Sequence, residues 1–221
     1  MTLVVGAAVL WSLMGLAIRL MGEAGSWQIL FYRSLGLVPV LFVVILRRSG
    51  GRPLSRIRAA GWPALIGGTG LVFAFAGAIF AIQATTVANA VFLFSATPLM
   101  TAVMAWLLLE EPVRPATWVA IAAAGVGIFV MVREGLAIGA GLGNLAALLS
   151  ASGFAAFTIT LRWGRLGDML PAVLIGGVLS AVVAAAVISA RCESFALSPG
   201  AVAIALFMGF FNDTATTEIY T

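Results

Sequence analysis

The sequence of 221 residues contains no histidine and one cysteine, all twelve basic residues are arginine, and only 9% of the residues are charged. Without imidazoles or paired thiolates, the usual zinc and iron sites and a Ser-His-Asp triad cannot be built. No apolar stretch holds a nucleophile beside a base, or a pair of carboxylates. We therefore predict no enzyme activity, no metal and no cofactor, and expect Cys192 to be a small buried apolar residue rather than a reactive thiol.

Hydrophobic residues make up 62% of the chain and form long uninterrupted stretches. A helix needs about 20 apolar residues to cross the hydrocarbon core, and a backbone in lipid must satisfy its polar groups within its own segment. Strand-like alternation is absent, because residues 119–132 read VAIAAAGVGIFVMV. These features predict an all-α, polytopic transmembrane bundle. Its spans are expected at 3–22, 26–46, 62–82, 86–109, 116–132, 142–161 and 170–190, with an eighth beginning near 200.

The arginines are unevenly divided between the two sets of alternate loops, eight against three. Because cytoplasmic loops carry the excess of positive charge, this distribution places the N-terminus in the cytoplasm. The net charge of +4 therefore reports topology and gives no support to nucleic-acid binding. The richer loops hold Arg47, Arg48, Arg52, Arg56, Arg58, Arg114, Arg162 and Arg165, and the poorer ones Arg19, Arg133 and Arg191.

A weak internal repeat relates the first span to the sixth. At an offset of 143, Trp11 corresponds to Phe154 and Arg19 to Arg162. The offset predicts a first five-helix unit at 1–133, a linker at 134–141 and part of a second unit at 142–211. Five is odd, so the second unit starts from the opposite side of the membrane, as in the inverted repeats of many secondary transporters.

Four segments resemble the EamA-type members of the drug/metabolite transporter superfamily. They are LWSLMGLAIRL in span one, FYRSLGLVP in span two, ANAVFLFSATPLMTAVMAWLLLEEP in span four, and GNLAALLSASGFAAFTITLRW in span six. The resemblance implies ten helices in two inverted five-helix units, and movement of small metabolites across the cytoplasmic (inner) membrane. The seven complete spans predicted here are fewer than the family pattern.

The last ten residues, NDTATTEIYT, do not continue the apolar pattern. At every codon they match the translation of a sequencing-library adapter read as AAT-GAT-ACG-GCG-ACC-ACC-GAG-ATC-TAC-ACT. We interpret 212–221 as a non-native tail, which is excluded from the fold. On this interpretation the chain is a fragment truncated after about residue 211.

Arg33 is the first candidate for substrate binding, because it lies seven residues into span two, about 10 Å below its outer end. A charge at this depth is a functional candidate by default, although it could also snorkel to the headgroups or brace a carbonyl. Its planar set of donors suits a carboxylate or phosphate. Trp11 lies at mid-depth in span one, where core packing and stacking on a substrate are the alternatives.

Span four supplies the remaining candidates. Asn89, Phe92 and Ala96 are spaced by three and four residues, so one helical face can present an amide, a ring and a gap. Pro98 removes a backbone donor, frees the carbonyl of Phe94 and is the predicted hinge. For the polar residues of this span, hydrogen bonding between helices is the alternative role.

These observations favour a secondary transporter of a small metabolite, such as an amino acid, that works by alternating access between inverted repeats. Its partners are the small-molecule substrate and the lipid bilayer. The alternative is a non-transporting structural membrane subunit, and a membrane-embedded enzyme fits less well. The sequence leaves the substrate, the direction of transport, the coupling ion and the oligomeric state open.

Overall fold

A computed structural model describes residues 13–22, 24–137, 139–165 and 168–213. Trp11 and residues 214–221 of the predicted tail lie outside this part of the chain. Within it the structure is helical and contains no strand. Six of its helices, counting α4 and α5 below as one, are long and apolar enough to cross a membrane. The prediction of an all-α, polytopic bundle is therefore confirmed.

Nine α-helices follow one another along the described chain, and the last continues into a π-helical segment at Met208–Asp213. They are α1 (described over 13–20), α2 (Ser26–Arg48), α3 (Pro53–Ala84), α4 (Val87–Phe94), α5 (Thr97–Leu109), α6 (Pro115–Ala137), α7 (Gly141–Trp163), α8 (Leu170–Ala190) and α9 (Pro199–Phe207).

Prolines open several of these helices, because a missing N–H costs nothing in the first turn. Helix α3 begins nine residues before its predicted span and bends at Gly61, whose φ of 60° lies in the left-handed region. Helix α6 continues to Ala137, so it overlaps the predicted linker at 134–141 and leaves residues 138–140 between α6 and α7.

Helices α3 and α7 lie in close contact through small residues. A Cβ added at Gly70 would lie 2.8 Å from the Gly153 carbonyl, and one at Gly153 would lie 2.5 Å from the Gly70 carbonyl. The Ser150 hydroxyl donates a hydrogen bond of 2.7 Å to the Ala74 carbonyl across the same contact. Small residues that allow two backbones to approach are the main packing device of membrane helices.

Two glycines make similar backbone contacts in the two halves of the chain. Gly68 of α3 lies against the Ala172 carbonyl and the Gly176 nitrogen of α8. Gly209, which follows α9, lies against the Arg33 carbonyl and the Leu37 nitrogen of α2. In both cases the glycine approaches two backbone atoms four residues apart, one turn of the partner helix.

Helices α4, α5 and α6 are the least covered part of the bundle. In the span formed by α4 and α5, 17% of the most apolar window is buried, and in α6 none of it is. Trp106 and Trp118 join α5 to α6 edge-to-face, with ring centroids 5.1 Å apart. The surfaces of these helices are apolar, which is the composition that lipid or further apolar helices require.

Cys192 follows α8 and is exposed, with a φ of 53°. The prediction that it is a buried apolar residue is therefore wrong. It terminates the helix in a left-handed conformation, a position that belongs to the end of a helix rather than to its packed face.

Candidate functional site

Arg33 lies on the buried face of α2, with 3% of the residue exposed. Its guanidinium carbon is 3.9 Å from the centroid of the Phe75 ring of α3. Phe75 in turn meets Phe154 of α7 edge-to-face, with centroids 6.0 Å apart. An arginine over an aromatic face gains electrostatic attraction from the ring, and the gain is larger where water is excluded. Arg33 thus joins α2 to α3 and, through Phe75, to α7.

Asn89 lies in the first turn of α4, where its backbone N–H donates to the hydroxyl of the N-cap residue Thr86, 3.2 Å away. Its amide nitrogen donates to the Thr85 hydroxyl at 3.0 Å and to the amide oxygen of Asn144. A guanidinium nitrogen of Arg19, at the end of α1, donates to the Thr85 carbonyl. Polar groups from α1, the α3–α4 connection, α4 and α7 therefore meet at one end of the bundle.

Asn144 is completely buried, and its amide nitrogen has no hydrogen-bond partner among the residues that the structure describes. Exchanging the oxygen and nitrogen of both asparagines would preserve the bond between them and leave the Asn144 oxygen without a donor instead. With either assignment one polar atom of Asn144 lacks a partner. A buried amide atom without a hydrogen bond costs about 1–3 kcal/mol.

Helices α4 and α5 are separated by a break at Ser95 and Ala96, both with right-handed helical dihedrals. Pro98 lies in the first turn of α5, two residues after the break. The Phe94 carbonyl, which the proline was expected to free, accepts a 2.7 Å hydrogen bond from the Thr97 hydroxyl. The side chain of the neighbouring residue therefore replaces the backbone donor that proline lacks.

The predicted site residues do not all meet. Asn89 is half-buried against α7, Ala96 is 4% exposed, and Phe92 is 48% exposed. Arg33 contacts α3, so it belongs to a different cluster of side chains from Asn89. A cavity of about 380 Å³ near Gln28 and Ser198 contains none of these residues.

Two ion pairs lie at the opposite end of the bundle from Asn144. A guanidinium nitrogen of Arg162, at the end of α7, lies 2.6 and 2.7 Å from the two carboxylate oxygens of Glu111, which follows α5. Arg56 of α3 lies 2.8 Å from an Asp168 oxygen before α8, although the two are not aligned as a hydrogen bond. Both pairs are partly exposed, where the Coulomb energy is small, so each fixes geometry more than it adds stability.

The protein-family comparison identifies the chain. Residues 1–133 match the model of the EamA-like transporter family. The chain belongs to this family. No curated protein and no solved structure matches the chain.

Membership makes this EamA-family chain a multi-pass membrane protein of the drug/metabolite transporter superfamily, and its family consists of transporters rather than enzymes. The described residues contain no group of three or more His, Cys, Asp or Glu side chains that could hold a metal.

Sequence reasoning missed two residues of these clusters. Phe75 is one of several phenylalanines in α3, and only the packing of α2 on α3 distinguishes it. Asn144 stands near the start of an apolar stretch, as Asn89 does, and that shared position is the signal that could have identified it. A buried amide in a membrane span requires a partner, so two such amides are candidates for each other.

Proposed function

We propose that this EamA-family chain is the membrane-embedded body of a secondary transporter. It moves a small, partly apolar metabolite, such as an amino acid, across the cytoplasmic membrane by alternating access between two inverted helical units. Helices α1 to α6 form the first unit, in which α4 and α5 together make one span, and α7 to α9 begin the second.

The repeated glycine contact is the observation that carries this proposal. The third span of the first unit, α3, touches the second span of the other unit through Gly68. The third span of the second unit, α9 with its π-helical end, touches the second span of the first through Gly209. Reciprocal contacts between the same two pairs of spans, here shifted by a few residues from the offset of 143, support two related units, and rocking between such units is the mechanism of many secondary transporters.

Arg33 is the proposed anion-binding residue of the substrate site, and Asn89, Phe92, Ala96 and Trp11 are its other proposed members. The Phe75 ring covers one face of the guanidinium. The N–H donors lie in the guanidinium plane and point outward from its edges, where carboxylate oxygens bind. Pro98, beside the break between α4 and α5, is the proposed hinge.

The distribution of charge supports a chain that lies in the inner membrane with its N-terminus on the cytoplasmic side. Arg162 pairs with Glu111 and Arg56 with Asp168, so the three arginine-rich loops lie at the same end of the bundle. The end that contains Arg19 and Arg191 carries fewer arginines. The end with more arginines is the cytoplasmic one under the positive-inside rule.

Counterflow in proteoliposomes tests transport without assuming a coupling ion. Vesicles are loaded with one unlabelled amino acid at a time, and uptake of a trace of the same radiolabelled amino acid is followed. We expect saturable accumulation for at least one member of the twenty common amino acids, relative to protein-free vesicles. The test uses the 221-residue chain and, in parallel, the open reading frame resequenced from its locus. No counterflow with either protein would contradict the amino-acid proposal.

Arg33 is tested with two variants, and transport is normalised to inserted protein. Arg33→Lys keeps the charge and loses the paired in-plane donors, so transport should fall; Arg33→Ala should reduce it further. If Arg33 only braces α2 on α3, the variants should instead lower protein abundance and leave transport per molecule unchanged. That result would remove Arg33 from the site.

A further inference from the structure

Helix α7 is joined to the span formed by α4 and α5 at both of its ends. At its start, Asn144 accepts from the amide of Asn89 on α4. At its finish, Arg162 donates to both carboxylate oxygens of Glu111, which follows α5. We call these contacts the Asn pair and the Glu–Arg pair. Asn144 and Arg162 are about 27 Å apart along the helix axis, close to the thickness of the hydrocarbon core.

Both contacts belong to one stripe of α7. The Ser152 hydroxyl, between them, lies 3.3 Å from the sulfur of Met100 on α5. Asn144, Leu148, Ser152, Ile159 and Arg162 are separated by three, four or seven residues, so they share one helical face. This face meets α4 near one side of the membrane and α5 near the other.

The α4–α5 span is divided opposite this stripe. Its break at Ser95 and Ala96 separates the half that carries Asn89 from the half that ends at Glu111. The hydroxyls of Ser95 and Thr97 donate to the Phe92 and Phe94 carbonyls, so the backbone at the break already has side-chain partners. A span with such a break can tilt one half while the other keeps its contact.

The unpaired amide atom of Asn144 makes the Asn pair different from simple helix contact. Asn144 is completely buried, yet one of its amide hydrogen-bonding atoms has no partner within the described part of the chain. A permanent structural contact would be expected to satisfy that atom, because in hydrocarbon it has no water to replace a partner. Separation of α4 from α7 would admit water or a polar substrate group to it.

We propose that the Asn pair and the Glu–Arg pair are the two gates of the transport cycle and open one at a time. The proposal rests on the proposed function and names the residues that control access from each side. We call the contact surface between this face of α7 and the α4–α5 span the seam. In the structure both pairs are formed, so the seam is closed at both ends. Opening the Asn pair exposes the seam to one side of the membrane, and opening the Glu–Arg pair exposes it to the other.

Cysteine labelling tests the gates without a known substrate. In a Cys192→Ser background, Leu148→Cys reports on the half of the seam beside the Asn pair, and Ile159→Cys reports on the half beside the Glu–Arg pair. Ile159 is 4% exposed and Leu148 half-buried in the closed seam. Each reporter is treated with a membrane-impermeant maleimide in right-side-out and in inside-out vesicles that contain the full chain.

Breaking one gate should change the two reporters in opposite directions. Asn144→Ala or Asn89→Ala should raise labelling of Leu148→Cys from one side and lower that of Ile159→Cys from the other. Arg162→Ala or Glu111→Gln should do the reverse. Breaking the Asn pair, a hydrogen bond between membrane helices, should change labelling roughly threefold to thirtyfold. Breaking the partly exposed Glu–Arg pair should change it by up to about fivefold. Exchange of the charges, Glu111→Arg with Arg162→Glu, should restore the original labelling.

The controls remove similar groups outside the gates. Arg165→Ala removes a positive charge at the same end of α7 as Arg162. Thr158→Ala removes a hydroxyl that donates to the Phe154 carbonyl of its own helix. Neither variant should alter labelling of the two reporters.

Increased labelling of both reporters would indicate loosened packing and would overturn the proposal, as would no change in either. Reciprocal labelling without amino-acid counterflow would contradict the substrate class and leave the gates standing. Counterflow without reciprocal labelling would refute the gates alone.

Discussion

The contact between Arg33 and Phe75 leads to a quantitative prediction about the free energy of unfolding. The guanidinium carbon lies 3.9 Å from the ring centroid, and the two residues are 3% and 5% exposed. A desolvated cation–π contact contributes about 2 kcal/mol, against about 0.5–1 kcal/mol at an exposed site. We expect a coupling free energy of about 1–2 kcal/mol between the two side chains.

A double-mutant cycle separates this contact from everything else that Arg33 does. Arg33→Met removes the charge and keeps the length of the side chain, and Phe75→Leu removes the ring and retains an apolar side chain. Either variant alone also changes other interactions: Phe75→Leu loses the edge-to-face contact with Phe154, worth about 0.5–1.5 kcal/mol. Those changes cancel in the cycle, provided that neither variant creates a new contact.

The measurement is reversible unfolding of the purified chain in mixed detergent micelles, with the free energy obtained for wild type, both single variants and the double variant. Phe80 is the control, because it lies on the same helix and is 41% exposed. Phe80→Leu combined with Arg33→Met should be additive. A coupling between Arg33 and Phe75 below about 0.5 kcal/mol is within the range of independent sites, and would refute the cation–π interpretation.

Three further predictions concern topology, packing and the last residues. Native Cys192, which is exposed, should react with an impermeant thiol reagent added outside intact cells, and Ser55→Cys in a Cys192→Ser background should not; the reverse pattern would invert the orientation. Gly153→Ala should lower the free energy of unfolding by about 1–3 kcal/mol because its Cβ would lie 2.5 Å from the Gly70 carbonyl. Gly125→Ala, with nothing within 4 Å, should be neutral or stabilising by up to about 1 kcal/mol, and equal effects of the two would contradict the close contact between α3 and α7. Resequencing the native locus should replace NDTATTEIYT by apolar sequence; recovery of those ten codons would disprove the adapter interpretation.

The membrane spans could be predicted from the sequence because a backbone in lipid must satisfy its polar groups within its own segment. Apolar runs of this length must be helical in lipid, and α2, α7 and α8 begin and end close to the predicted residues. The bend at Gly61 could not be located in this way. A glycine with a φ of 60° and a proline two residues later change the direction of the chain without interrupting the apolar pattern enough to be recognised.

The site could be predicted only in part, for a similar reason. The depth of Arg33 follows from its position in a span, and the structure does bury it. Its partner Phe75 lies 42 residues further along the chain, and Asn144 lies 55 residues beyond Asn89. Such pairs depend on which helices become neighbours, and hydropathy carries no information on that. The roles of Arg33, Asn89, Phe92, Ala96, Trp11 and Pro98 in binding and hinging stay predictions.

The fourth span is interrupted just before Pro98, within the turn that the proline was expected to disturb. Pro98 was expected to kink one continuous helix, because proline removes a hydrogen bond to the carbonyl four residues earlier. In the structure the break lies at Ser95 and Ala96, and Pro98 belongs to the first turn of the helix that follows. The Thr97 hydroxyl bonds to the Phe94 carbonyl, so the polar cost of the break is met locally. The interruption therefore lies between the Phe94 carbonyl and Pro98, as the hydrogen bond missing at the proline requires, and the role of Pro98 as a hinge stays a prediction.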